Sequence, residues 1–140
     1  MQTTDARALL RGAELRVTEP RIAVVEALQR LPHGSADEVF SAVATALPTT
    51  SKQAVYNVLR DLSSHGLARR IEPGDHPARY ELRVGDNHHH LVCRDCGTIA
   101  DVDCVVGHAP CLTPSRDHGF AVVEAEVTFW GLCEACTRAR

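Results

Sequence analysis

Residues 81–96 read ELRVGDNHHHLVCRDC, so three consecutive histidines stand just before a pair of cysteines. Two residues separate Cys93 from Cys96, and a second pair with the same spacing, Cys133 and Cys136, lies near the end of the sequence. Two such pairs supply four thiolates, which make a complete tetrahedral shell for Zn²⁺. The spacing therefore predicts a structural zinc site. The alternative is a redox-active dithiol, but that chemistry does not need the second pair.

The histidines indicate a second, different metal centre, because a shell of four cysteines has no position left for them. On a β-strand, His88 and His90 would point to one side and His89 to the other, so the first two could bind one ion. Imidazoles combined with carboxylates suit Fe(II), Mn(II) or Zn(II) better than Ca(II). A solvated, histidine-rich turn is the alternative. The candidate ligands are His33, Glu81, His88, His90 and Asp101.

Composition is that of a folded protein, since 44% of the 140 residues are hydrophobic. This length fits one ordinary domain or two small ones. The sequence has no apolar run of about 18 residues for a membrane span, and its beginning lacks the apolar segment of a signal peptide. We therefore expect a cytoplasmic protein without a membrane partner. In that reducing compartment, six cysteines are expected to be metal ligands or redox thiols and not a disulfide framework.

Charge is distributed unevenly along the chain, although the net charge is only −3. Residues 1–84 carry eleven Lys/Arg and ten Asp/Glu, a balance of +1, whereas residues 85–140 carry four and eight, a balance of −4. A surface that binds DNA is therefore expected in the first half of the chain.

Apolar residues recur at helical spacing in the first half and predict four helices. The first covers residues 4–14, and the second covers residues 19–31 after a capping threonine. Ser35 caps the third, and the fourth has the sequence SKQAVYNVLRDLSSHG over residues 51–66, with its final glycine as the stop. The residues predicted to face the core of these last three helices are Val24, Val25, Leu28, Leu31, Val39, Phe40, Val43, Leu47, Val55, Val58, Leu59 and Leu62.

A β-hairpin is predicted after the fourth helix, because residues 67–71 and 79–84 alternate apolar and polar side chains around the turn sequence PGDHP. Helices followed by a hairpin are typical of a winged helix-turn-helix, whose last helix enters the major groove of DNA. A helical bundle with an added hairpin is the alternative.

Lysine and arginine suit phosphates, whereas glutamine, asparagine and tyrosine suit base edges. The polar residues on this side of the fourth helix are Ser51, Lys52, Gln53, Tyr56, Asn57 and Arg60. An ordinary solvated helix face would have a similar composition.

The second half begins after a polar segment, VGDN, which predicts a hinge with its boundary near Gly85. Short strands are predicted over residues 91–93 and 97–102, and a longer strand over residues 121–130. Prolines between them limit any helix there to a short or broken one.

The remaining cysteines, Cys104 and Cys111, match neither pair, and we interpret them as small buried apolar residues. A third metal site built from His89, His108 and His118 is a further hypothesis. Exposed loop histidines are common, so solvated side chains are the alternative for these three.

The motifs together resemble the ferric uptake regulator family of metal-dependent bacterial repressors. The resemblance rests on LRVTEPR at 15–21, SKQAVYNVL at 51–59, HHHLVCRDCG at 88–97 and GLCEAC at 131–136, in this order across essentially the whole chain. It implies an α+β fold, with a winged helix-turn-helix DNA-binding domain over residues 1–84. Residues 85–140 would form a small α/β domain for dimerisation and metal binding. The implied protein is a homodimer that represses transcription by binding operator DNA when its regulatory metal is present, without a small-molecule substrate or enzymatic activity.

The resemblance also implies roles for particular residues. The four cysteines of the two pairs resemble the structural zinc site of the family. Tyr56 resembles its base-contacting tyrosine, and Arg16 lies in the motif that enters the DNA-binding helices. Asn57 stands where the family often has arginine, and Ala125 stands where many relatives have a histidine of a third metal site. The residues that resemble the regulatory Fe(II) or Mn(II) site between the two domains are His33, Glu81, His88, His90 and Asp101.

Two carboxylates bear on the signal that the protein senses. Peroxide-sensing members of the family resemble this chain in having Asp at the position of Asp101, where iron-sensing members usually have Glu. Glu81, in contrast, stands where peroxide sensors often have Asp. On balance the resemblance favours a peroxide-sensing repressor that controls oxidative-stress or iron-homeostasis genes. An iron- or zinc-responsive repressor is the alternative, and a zinc metalloenzyme with Glu81 as general base is the opposing class.

Overall fold

The computed structural model describes residues 5–82, 88–103 and 111–139, which fall into two compact units. Unit 1 comprises Met1–Glu72 with Pro77–Val84, and unit 2 comprises Pro73–His76 with Gly85–Arg140. Both units contain helices and strands, so the α+β prediction is confirmed. The predicted hinge at residues 84–87 lies outside the described residues. No helix in the described ranges has the length and apolar character needed to cross a membrane.

Helices dominate unit 1, and each predicted helix is present. Their bounds are Ala6–Gly12 (α1), Glu19–Arg30 (α2), Ala36–Ala46 (α3) and Lys52–Ser64 (α4). Each begins after a residue whose side chain accepts a hydrogen bond from a backbone N–H of the first turn, which satisfies one of the donors that a helix start leaves open. The caps are Asp5, Thr18, Ser35 and Ser51.

The core of unit 1 lies between these helices, and α2 and α4 contribute most to it. Phe40 and Leu47 are partly buried and pack against the core as predicted, and Leu31 is also partly buried. Outside the core, the Arg21 guanidinium lies 3.3 Å from the Asp61 carboxylate and links α2 to α4. The other predicted core residues of α2, α3 and α4 are buried, namely Val24, Val25, Leu28, Val39, Val43, Val55, Val58, Leu59 and Leu62.

Three short strands complete the description of unit 1: Gly34–Ser35 (β1), Ala68–Ile71 (β2) and Arg79–Leu82 (β3). β2 and β3 form the predicted hairpin, and β1 pairs antiparallel with the other edge of β3. The sequence pattern did not predict β1. The turn after α4 contains Gly66 at a φ of +75°, a left-handed conformation that favours glycine and confirms it as the helix stop.

Unit 2 has a sheet whose strands are His88–Cys93 (β4), Ile99–Asp103 (β5) and Thr128–Gly131 (β6), followed by the helix Glu134–Arg138 (α5). β4 is central, antiparallel to β5 and parallel to β6. The prediction of a long strand over 121–130 is wrong except at its end. Its first seven residues alternate in polarity but are mostly exposed, and pairing with β4 starts only at Thr128. The sequence also did not predict α5.

Candidate metal centres and DNA-facing helix

The four cysteines of the two pairs come together in unit 2. β4 ends at Cys93, the turn after it carries Cys96, and the chain after β6 brings Cys133 and Cys136 alongside. All four sulfurs lie within 4.8 Å of one another, and the Cys96 and Cys133 sulfurs are 3.8 Å apart. Two sulfurs bound tetrahedrally to one Zn²⁺ at about 2.3 Å would be separated by roughly 3.8 Å. The cluster therefore has the dimensions of a zinc site.

Proton affinities in this cluster differ from those of ordinary thiols. The backbone N–H groups of Cys133 and Cys96 lower the pKa of Cys93 to about 6, and the Thr98 hydroxyl lowers the pKa of Cys96. The neighbouring sulfurs of Cys133 and Cys93 raise the pKa of Cys136 to about 12. Backbone donors thus stabilise thiolate at one end, while hydrogen bonding among the sulfurs keeps a proton on Cys136 at the other. A divalent cation would replace that proton, because thiolates are its ligands.

A second cluster in unit 2 is built across β4 and β5. His88 and His90 lie on one face of β4, and the strand register sets Asp101 opposite His90. The Nε2 atoms of His88 and His90 are 3.7 and 3.5 Å from the same carboxylate oxygen of Asp101. Two ligand atoms each about 2.1 Å from one ion are at most roughly 4.2 Å apart, so either imidazole is close enough to share an ion with Asp101.

Unit 1 contains the other two predicted ligands, His33 and Glu81. Antiparallel pairing of β1 with β3 sets Gly34 opposite Tyr80, and continuing this register by one residue sets His33 beside Glu81. The His33 Nε2 lies 3.5 Å from a Glu81 carboxylate oxygen. Glu81 is only 6% exposed, and Arg69 on β2 is 3.9 Å from its other oxygen. A buried carboxylate with one imidazole and one guanidinium has the chemistry of a metal ligand set or of a structural ion-pair network.

His89 points to the opposite face of β4 from its two neighbours, as the strand period predicts. Its Nδ1 accepts a hydrogen bond from the Val127 backbone N–H, at 3.3 Å. The ring proton is thereby assigned to Nε2, which lies 3.1 Å from the sulfur of Cys111. Cys111 is partly exposed, so its prediction as a buried apolar residue is wrong.

The third-site hypothesis receives no geometric support within the described residues. His118 is exposed, and the clusters of metal-ligating side chains in the described ranges include neither His118 nor His89. Two other residues of the earlier predictions, Cys104 and His108, lie outside the described residues.

The predicted DNA-facing residues of α4 share its solvent side, and hydrogen bonds fix several of them. The Gln53 amide N–H donates to the Asn57 side-chain oxygen at 3.0 Å, and the Tyr56 hydroxyl donates to Asp37 at 2.9 Å. The Lys52 ammonium lies 2.9 Å from the same Asp37 oxygen. Ser51 caps the helix, and Arg60 is exposed on it. A surface helix with this composition can contact both phosphates and base edges.

Two contacts in unit 1 were not predicted from the sequence. Arg16 is exposed, and its backbone carbonyl accepts a hydrogen bond from the Arg21 guanidinium at 2.9 Å. Asp37 on α3 was not singled out, although it holds two side chains of α4. An acidic residue in the first turn of a helix is common for electrostatic reasons alone, so the sequence contained no distinctive signal for this contact.

Comparison with known proteins points to one family. A family model described as "Ferric uptake regulator family" matches residues 12–130. Transcriptional regulator FurA of Mycobacterium tuberculosis is 59% identical over 133 residues, which are 95% of this chain and 90% of that protein. Ferric uptake regulation protein 2 of Mycolicibacterium fortuitum is 51% identical over 140 residues, with 98% and 96% covered.

A solved structure with a similar fold is that of the Campylobacter jejuni peroxide stress regulator. The two share a TM-score of 0.71 and 25% sequence identity, and the match covers 97% of this chain and 100% of the other. The similarity thus extends over both units.

Proposed function

Because the chain belongs to the ferric uptake regulator family of transcriptional regulators, we propose that it is a metal-dependent repressor that binds operator DNA as a homodimer. The observation that carries the proposal lies in β4, a strand of six residues. It begins with the imidazoles of His88 and His90 and ends with the thiol of Cys93. Two ligand sets of different chemistry are thereby built on one strand, as a protein with separate structural and regulatory ions requires.

We assign the structural zinc to the four clustered cysteines. Four thiolates fill its coordination shell, so this ion has no open position for a substrate and its role is to hold unit 2 together. This is also the reason that we propose no enzymatic activity at this site.

We assign the regulatory ion to the imidazole and carboxylate ligands that the family resemblance implies. Fe(II) or Mn(II) suits this mixture of nitrogen and oxygen donors. The proposal is supported in unit 2 by the convergence of two imidazoles on the Asp101 carboxylate, and in unit 1 by a buried carboxylate beside an imidazole. The assigned ligands are His33, Glu81, His88, His90 and Asp101.

The homodimer is supported by an apolar row across the sheet of unit 2. Leu91 pairs in register with Ala100 on one side and Phe129 on the other. Leu91 and Phe129 are 46% and 50% exposed, and they line a groove of about 320 Å³ together with Leu132. Contiguous exposed apolar side chains mark an interaction surface, and a second copy of this sheet is the proposed partner.

DNA binding is assigned to α4, with Lys52 and Arg60 on phosphates and Gln53 and Tyr56 on base edges. Exposure of these four side chains on one helix supports the assignment. Three further residues complete the proposed DNA-binding set, namely Arg16, Ser51 and Asn57.

Iron response is the better supported of the two candidate signals. Ferric uptake regulation protein 2 is 51% identical to this chain, whereas the peroxide stress regulator is 25% identical. Peroxide response, which the sequence favoured, is a second candidate because of Asp101. Its side chain is 48% exposed beside two nearly buried imidazoles, so a small oxidant could approach a bound ion from that side.

One experiment tests the function and separates the two signals. DNA selected by the metal-loaded protein from a random library is titrated anaerobically with the Fe(II), Mn(II) and metal-free forms. We expect binding to need the metal and to be lost in His90→Ala, but not in His118→Asn, which changes an exposed histidine outside both clusters. Tight binding by the metal-free protein would contradict the proposed function.

The peroxide arm adds one equivalent of hydrogen peroxide to the Fe(II) and Mn(II) complexes. Bound Fe(II) would act as the catalyst, with peroxide as the two-electron oxidant and the imidazole of His88 or His90 as the group oxidised. One peroxide oxygen would be added to the ring and the other released as water, and mass spectrometry reads the added oxygen. Histidine oxidation and DNA release that occur in the Fe(II) form but not in the Mn(II) form, and that are weaker in the Asp101→Glu variant, would establish peroxide response. Unmodified histidines with DNA still bound would leave iron response as the function.

A further inference from the structure

One oxygen of the Asp37 carboxylate serves two side chains of the proposed DNA-reading helix. Tyr56 donates its hydroxyl proton to Oδ1 of Asp37 at 2.9 Å, and the Lys52 ammonium lies 2.9 Å from that atom. Lys52 and Tyr56 are four residues apart on α4, and the ammonium lies 5.9 Å from the centre of the Tyr56 ring. Asp37 is in the first turn of α3, so this contact fixes side chains of one helix from another.

The contact determines what Tyr56 can offer to a base. The hydrogen bond from Lys52 lowers the pKa of the Asp37 carboxyl, so this group is an anion at neutral pH and accepts hydrogen bonds only. The hydrogen bond to Asp37 raises the pKa of Tyr56, so its hydroxyl keeps its proton. With that proton committed to Asp37, the hydroxyl oxygen can only accept from a further partner. In the major groove, the donors available to it are the amino groups of adenine and cytosine.

The same contact restrains Lys52. A free ammonium binds any DNA phosphate and adds to sequence-independent affinity. Here the ammonium already has an anionic partner, so a phosphate must compete with Asp37 for it. Every base pair carries one such amino group, but random DNA presents it on the strand that faces Tyr56 only part of the time. Binding to random DNA is therefore weakened more than operator binding.

We propose that Asp37 is a positioning residue that sets specificity. It presents the Tyr56 hydroxyl as an acceptor for a base amino group, and its charge competes with DNA phosphates for the Lys52 ammonium, which weakens binding to random DNA. The inference rests on the proposed function, namely DNA binding through α4. It adds a residue that does not itself need to touch DNA.

The test compares affinities for random and selected DNA over a range of salt concentrations, using Asp37→Asn. This change keeps the size of the side chain and an acceptor oxygen but removes the charge that holds Lys52. We expect affinity for random DNA to rise about 3- to 10-fold, since roughly one further phosphate contact forms, and the slope of log K against log salt to steepen by about 0.9. Affinity for selected DNA should rise less, so the ratio of the two affinities falls.

Two control variants distinguish this mechanism from general effects of charge or structure. Glu26→Gln also removes one negative charge, but from an exposed carboxylate on α2, and should leave the salt slope unchanged. In a Lys52→Ala background, Asp37→Asn should no longer raise affinity for random DNA, because the released ammonium is gone. Far-UV circular dichroism of each variant checks that the helices remain.

The outcomes are separable. If the metal-loaded native protein binds no DNA, the proposed function fails. If it binds DNA but Asp37→Asn leaves the salt slope and the affinity ratio unchanged, or if the gain persists without Lys52, only the role of Asp37 is overturned. Selection of guanine or thymine on the strand that Tyr56 contacts, where no base amino group is presented in the major groove, would overturn the acceptor role.

Discussion

Zinc removal should unfold unit 2 and leave unit 1 folded. Among the described strand residues of unit 2, the buried apolar side chains are Val92 and Cys93, and burial of a side chain such as valine contributes about 1.5–3 kcal/mol. Zinc bound to a small cysteine site contributes on the order of 10–16 kcal/mol in peptide systems. The ion therefore outweighs the buried strand side chains several-fold. Unit 1, in contrast, has an apolar cluster drawn from all of its helices.

The two units carry different spectroscopic signals, which makes the prediction measurable. Trp130 is the single tryptophan of the chain, and it lies on β6 in register with Val92. The long helices α2, α3 and α4 all belong to unit 1. Trp130 is 41% exposed, and the Arg94 guanidinium lies 5.0 Å from the centre of its ring. Chelation, or the substitution Cys96→Ser, should remove this contact and shift the fluorescence further toward that of a fully solvated indole, while far-UV circular dichroism keeps most of its helical signal. Cys111→Ser is the matched control, because Cys111 lies outside the thiol cluster, and it should retain one zinc per chain.

Two results would refute this reasoning. If zinc is gone and Trp130 fluorescence and the protease resistance of residues 111–139 are unchanged, the cysteines do not stabilise unit 2. If the helical signal disappears with the zinc, unit 1 does not have the independent stability that its core implies.

Two further predictions concern single side chains. Leu59 is 1% exposed on α4, so Leu59→Ala should lower the free energy of unfolding by about 2–5 kcal/mol, measured by urea denaturation. The neighbouring change Arg60→Ala should alter the free energy of unfolding by less than about 0.5 kcal/mol. Equal effects would mean that α4 does not pack as described. Gly97 has a φ of +76°, and a Cβ there would lie 2.6 Å from the His76 ring. Gly97→Ala should therefore weaken zinc retention against a chelator more than Gly119→Ala, because Gly119 has a similar φ of +83° but no atom within 4 Å of a Cβ. Equal retention would show that the His76 ring moves aside without cost.

The helices of unit 1 were predictable because their signals are local. Thr18, Ser35 and Ser51 each cap a helix within three residues of their own position, and apolar spacing then reports which face is buried. The solvent-exposed polar side of α4 followed from the same periodicity. His33 and Glu81 were placed in one candidate ligand set, but no local pattern predicted their approach, because it depends on a two-residue strand that pairs with residues more than forty positions later.

Unit 2 was less predictable because alternation of polarity reports a face and not a pairing partner. Residues 121–130 alternate well, but only Thr128 and the residues after it pair with β4. The cysteine spacing, in contrast, predicted the thiol cluster directly, since ligand identity and separation are properties of the sequence itself. The contact of Asp37 with α4 required coordinates, because the two helices meet only through tertiary packing.

The described strands of unit 2 bury fewer apolar side chains than the helices of unit 1, and three of the proposed metal ligands lie on β4. A ligand can shift a conformational equilibrium only by its differential affinity for the two states, and its effect is largest where the rest of the structure supplies little stability. A large apolar core such as that of unit 1 would stay folded whether or not an ion were bound. β4 carries the proposed ligands His88, His90 and Cys93 and buries the apolar side chain of Val92, so we expect much of the order of this strand to depend on ions. We therefore expect metal availability to change the order of unit 2 over a range that a repressor can use.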